Sequence, residues 1–144
     1  MPLRNPIPHI DPSSNAGRKV HAAAETLCSA VEKRMELLLR LVEEETRLVR
    51  EGKLFALRAL EPRKARAARE FIDGLEAVKK IRPALELNAP EAIGRLRRKH
   101  SEFRAMLQLN LAALATAREA SDEMLSTIAN GGSLGRHSLA EHAA

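Results

Sequence analysis

Apolar residues recur at steps of three and four along most of this 144-residue chain, and that period belongs to a helix rather than a strand. The first run lies between residues 19 and 51 and uses Ala24, Leu27, Val31, Met35, Leu38, Val42 and Val49. The second starts near Lys53 and uses Leu54, Leu57, Leu60, Ala68, Phe71, Leu75 and Val78, whereas the third uses Ile93, Leu96, Phe103, Leu107, Leu114, Leu125 and Ile128. Each run places its apolar side chains on one face of a helix, and three such faces must be hidden against one another. The composition agrees with this. Ala, Leu, Glu, Lys and Arg dominate, and the only aromatic residues are Phe55, Phe71 and Phe103, with no Trp or Tyr. The expected fold is all-α, an elongated antiparallel three-helix bundle with coiled-coil-like packing in a single domain.

Breaker residues set the expected boundaries. Pro2, Pro6, Pro8 and Pro12, followed by Ser13, Ser14, Asn15 and Gly17, mark residues 1–18 as a disordered Pro-rich arm. Gly52 is the expected end of the first helix, with Arg47 and Arg50 suited to its negative pole. Pro62 should kink the second helix or split it into 54–60 and a piece starting at Pro62, with the end near Pro83. Asn88-Ala-Pro-Glu91 has the pattern of a helix start, with Asn88 as cap and Glu91 at the capping-box position. Asn130-Gly131-Gly132 should end the third helix, leaving residues 19–130 as the bundle and 131–144 as a flexible tail.

Catalytic patterns are absent. No Glu-x-x-His motif of di-iron bundles falls within the expected helices, and Gly131-Gly-Ser-Leu-Gly135 lacks the ending of a phosphate loop. A lone Cys28 excludes an intrachain disulfide and a Cys-based zinc site; beside the first stripe it reads as a small packed hydrophobe. His100 falls beside the third stripe and reads as a partly buried histidine, while His21 and Glu25 form an isolated pair one turn apart. No enzyme activity, cofactor or metal is expected. The start MPLRNPIPHIDP has no apolar signal-peptide core, and the longest apolar stretch, Leu111 to Ala115, is far short of a membrane span. The expected location is the cytoplasm, without membrane insertion.

The net charge of +5 is unevenly distributed. Residues 53–87 hold nine basic and five acidic residues, against six and seven in residues 19–52. Arg63-Lys64-Ala65-Arg66-Ala67-Ala68-Arg69 and Arg95-Leu96-Arg97-Arg98-Lys99 could neutralise phosphates. No nucleic-acid-binding motif accompanies them, so a solvated face with intrahelical pairs such as Arg66 with Glu70 is the simpler expectation, without specific nucleic acid binding.

What remains is a surface. At 1.5 Å per residue the helices should measure roughly 50, 45 and 60 Å, so the third overhangs the other two. Ala117, Ala120, Met124, Leu125 and Ile128 are the expected partner-binding residues on its last turns, and Met106 is expected to complete the core. Asn110 and Ser121 fall within the stripe, and Asn110 is expected to fix helix register.

The segment Leu41-Val-Glu-Glu-Glu-Thr-Arg-Leu-Val-Arg-Glu-Gly-Lys-Leu54, then Lys64, the Phe71 to Val78 stripe, Asn110-Leu111 and a long closing helix resembles the FlgN family of flagellar export chaperones. The likeness covers roughly residues 25–130. Pro62 departs from the family pattern of an uninterrupted second helix, and no aromatic ring follows Asn130. The resemblance implies a cytoplasmic, non-catalytic chaperone. It would hold the C-terminal amphipathic segments of hook-associated proteins of FlgK and FlgL type through its C-terminal helix and deliver them to the flagellar export apparatus. A basic nucleic-acid-associated helical protein, and a homo-oligomeric coiled coil or homodimer pairing its exposed turns, are the alternatives the residues leave open.

Overall fold

The computed structural model describes the backbone of residues 6–143 and the side chains of residues 6–131. It contains three helices, α1 Asn15–Glu51, α2 Leu54–Asn88 and α3 Pro90–Ala143. No strand occurs among the described residues. Links of only one or two residues make the chain reverse direction at each connection. Arg34 of α1 reaches the backbone carbonyl of Glu70 on α2 at 2.7 Å, and Arg95 of α3 pairs with Glu25 and Glu32 near the start of α1. The result is an up-down-up, all-α three-helix bundle.

The central helix is α1. Both α2 and α3 pack along it and touch each other only sparsely. Its buried face is wider than its stripe, because Cys28, Leu41 and Leu48 join Val31, Met35, Leu38 and Val42 in the core. Leu60, Phe71 and Val78 come from α2, and Ile93, Leu96 and Phe103 from α3. Burial of each such large side chain is worth about 1.5–3 kcal/mol relative to exposure. Where α2 and α3 do meet, the Phe71 and Phe103 rings lie 4.9 Å apart in a tilted arrangement. Close approach of α1 to α2 depends on Gly74. A Cβ there would lie 3.0 Å from Arg34 Nη1 and 3.1 Å from Val31 Cγ2.

Several boundaries differ from the sequence expectation. Helix α1 begins at Asn15 rather than Lys19, because the Ser14 hydroxyl accepts a hydrogen bond from the Gly17 N–H at 2.9 Å and caps it. Its end is as expected. Gly52 takes a left-handed conformation (φ 68°), which lets the Lys53 N–H reach the Leu48 carbonyl at 3.0 Å. Pro62 and Pro83 both lie inside one continuous α2, which runs on to Asn88. Packing of both halves of α2 on α1 holds the helix together across the bond that Pro62 cannot make.

Asn88 does not start the third helix. It is the last residue of α2, and only Ala89 separates it from Pro90. Its side chain instead holds the N-terminal segment, accepting from the Ile10 N–H at 2.9 Å and donating to the Pro8 carbonyl at 3.2 Å. Pro8 and Ile10 are thereby tied to the bundle, and Ile7 and Ile10 line an apolar cavity together with Val20, Leu27 and Ile81. Helix α3 runs through Asn130-Gly131-Gly132 to Ala143. Among the described residues only Gly52 has positive φ, so Gly131 provides no left-handed stop. The side chains of the expected tail lie outside those described, apart from Gly131.

Candidate partner-binding site

The registry of side-chain bonds between α1 and α3 locates the end of the bundle. Asn110 of α3 donates to Glu43 of α1 at 3.4 Å, and Arg118 donates to Glu45 at 2.5 Å. Six residues beyond Glu45, α1 ends. Val49, Gly52, Ala117, Ala120, Ser121 and Met124 line a groove of about 350 Å³ between that end and α3. Beyond the groove α3 continues, and each described residue from Asp122 to Gly131 is exposed. From Leu125 to Ala143 this projection is roughly 28 Å long.

The five expected partner-binding residues fall along this transition. Ala117 is buried (6% exposed) and forms the floor where α3 leaves the bundle. Ala120 is exposed on the groove wall, and Met124, Leu125 and Ile128 are 65, 61 and 64% exposed. Leu114, Ala117, Ser121, Met124 and Ile128 follow one another at steps of three and four. The bare strip thus continues the seam that packs on α1 lower down. An incoming helix laid there would take the place α1 would occupy if it were longer. The small side chains of Ala117, Ala120 and Ser121 leave room for close approach.

A buried ionic cluster fixes the base of the projection, and sequence reasoning missed it. Glu45 is completely buried, with Lys64 Nζ of α2 at 2.7 Å and Arg118 Nη2 of α3 at 2.5 Å. Burial pushes the Glu45 carboxyl up, but bonds and charge from Lys64 and Arg118 outweigh it and hold it below its usual value. One carboxylate therefore ties all three helices together at the level where α1 stops. The clue was present in the spacing. The first stripe jumps seven residues from Val42 to Val49, and Glu45 occupies the skipped position on the same face.

Other expectations resolve individually. Met106 is 45% exposed and does not complete the core; it lies at the edge of the α1–α3 interface, in a surface groove with Met35 and Leu39 of α1. Asn110 is half-buried and bridges to α1. Cys28 is fully buried, and burial raises its thiol pKa, as suits a packed hydrophobe. His100 is half-buried and stacks on Phe71 with ring centroids 6.2 Å apart; burial, then the charges of Arg104 and Lys79, lower its pKa. The expected Arg66–Glu70 ion pair is not formed; among the described residues of that basic run, Lys64 alone has acidic partners, Glu45 and Glu61. No group of three metal-ligating side chains lies together among the described residues, and no described helix is long and apolar enough to cross a membrane.

No family model matches the chain, and none of the curated proteins or solved structures compared with it shows significant similarity.

Proposed function

We propose that the protein is a FlgN-like flagellar export chaperone, acting in the cytoplasm without catalysis. The observation that carries this reading is the exposed apolar seam of α3, which continues the bundle's own packing surface past the end of α1. A disordered amphipathic segment would fold on this seam, burying its apolar face on Met124, Leu125 and Ile128. Ordering the segment costs part of the interaction energy, which keeps the complex releasable, as delivery for export requires. The client class, C-terminal segments of hook-associated proteins of FlgK and FlgL type, rests on the resemblance of residues 25–130 to the family. Two features support a rigid platform with a separate adhesive end: the Glu45–Lys64–Arg118 cluster at the base and the groove floored by Ala117.

Hydrogen exchange of the full chain, with and without a C-terminal fragment of a FlgK-type protein, tests this reading. New protection confined to about residues 117–130 is the expected result. Protection spread over the bundle, or none at saturating fragment, would remove the seam as the client site.

A further inference from the structure

The solvent-facing side of the first half of α2 carries an unusual combination. Phe55, Arg58, Ala65, Arg66, Arg69 and Ile72 share the face opposite Leu60, Ala67, Phe71 and Gly74, which pack on the bundle. The strip is roughly 25 Å long. Phe55 is 89% exposed, its neighbour Leu54 68% and Ile72 54%, so large apolar side chains stand at both ends of the arginine run. Arg58, Arg63, Arg66 and Arg69 are all exposed, and none forms an ion pair among the described residues. Glu61 is engaged by Lys64, while Glu70 and Asp73 stand exposed on either side of Ile72 at the far end of the strip. Elsewhere the surface arginines Arg47, Arg82, Arg95 and Arg97 do pair with glutamates. Arg40, Arg50, Arg98 and Arg104 are likewise exposed without an ion pair among the described residues. This face is therefore set apart by arginines standing between Leu54, Phe55 and Ile72 and not by a lack of partners.

We propose that this face of α2 docks on a membrane surface bearing anionic lipid headgroups. The arginines would meet the headgroup phosphates, while Leu54, Phe55 and Ile72 enter the boundary between headgroups and acyl chains. A convex single-helix face offers no groove for a folded protein, but it fits a broad, deformable surface. Nucleic acid would use the same three arginines, Arg58, Arg66 and Arg69, equally well. It would gain nothing from the three apolar side chains, which would then stand against phosphodiesters. The apolar residues are therefore what favours a bilayer. This face lies on a different helix from the α3 seam, so the docked protein would keep its client site open.

Flotation of the full chain with vesicles of phosphatidylcholine, alone or with phosphatidylglycerol, tests the proposal. Binding only to the anionic vesicles, weakening as salt rises, is expected. Joint replacement Arg58→Glu, Arg66→Glu and Arg69→Glu should lower partitioning by roughly a hundredfold, from about fivefold per lost cation. Phe55→Ser alone should lower it about tenfold through lost apolar insertion, with an unchanged helical circular dichroism spectrum. Because Phe55 makes no core contact, this variant reads the proposal even if the triple variant fails to fold. Equal binding to both vesicle types would overturn the assignment. So would duplex DNA binding that is tighter than vesicle binding and indifferent to Phe55→Ser, which would make the face a phosphate-backbone site.

Discussion

The two ends of α3 share one apolar period but meet opposite fates. Between Ile93 and Leu114 the seam is buried against α1, whereas from Met124 to Ile128 the same face is open to solvent. Nothing in the local helical pattern separates them. The difference is set by α1, which stops at Glu51 and leaves the later turns without a neighbour. A length mismatch between helices can therefore create an adhesive surface without any change in the kind of residue presented. The Glu45 cluster marks the junction, locking the lower part so that the upper part can project.

The largest expected effect belongs to that junction. Replacing both cations, Lys64→Ala with Arg118→Ala, would leave a fully buried carboxylate without a counter-charge and should cost about 3–5 kcal/mol in urea unfolding. Adding Glu45→Leu to Lys64→Met and Arg118→Met should restore most of the loss, since an apolar replacement of similar volume removes the charge problem altogether. An unchanged midpoint for the double variant would show that water reaches Glu45 and that the bundle is not locked there.

Core truncation should grade with burial along the bundle. Leu38→Ala, at a buried position of α1, should cost about 2–5 kcal/mol. Leu75→Ala should cost roughly 1–2 kcal/mol, because Leu75 is only half-buried although it falls on the α2 stripe. Equal losses would indicate that α2 and α3 close over Leu75 in solution more fully than their sparse contact implies.

A smaller effect concerns pH. The Glu45 carboxyl is held below its usual 4.5, so its share of stability is fully present above that value and is lost as pH falls through the lowered one. Glu25, Glu44, Glu51 and Glu86 are shifted in the same direction, chiefly by bonds to Arg95, Arg47, Lys53 and Arg82 respectively, but they are half-buried or exposed, so salt screens them more than the fully buried Glu45. Melting curves between pH 6 and pH 3 should show a loss of stability that persists in part at high salt. Complete removal of the acid effect by salt would assign it to the surface pairs alone.

How much of this the sequence disclosed depends on what kind of interaction decides each feature. The three stripes were legible because burial follows helical period, and Gly52 was legible because only glycine readily takes its left-handed turn. The bare turns at Met124, Leu125 and Ile128 followed from counting residues. Features decided by partners distant in sequence were not legible. Asn88 has the surroundings of a helix cap, yet its amide serves Pro8 and Ile10, about eighty positions earlier. Glu45 follows Glu43 and Glu44 in the sequence with nothing local to set it apart, and only the fold places Lys64 and Arg118 beside it. Gly131-Gly132 looked like a stop, but the backbone there stays helical.

The central claim is that the seam beyond α1 recognises partners while the bundle beneath it supplies stability. Calorimetric titration of the Leu125→Glu, Ile128→Glu variant with a FlgK-type C-terminal fragment, alongside its melting curve, tests both halves at once. Loss of measurable binding with an almost unchanged melting temperature is expected, because two charges would face an apolar partner while the core is untouched. Undiminished binding would contradict the placement of the site, and a collapse of the melting transition would show that these turns are held by the bundle.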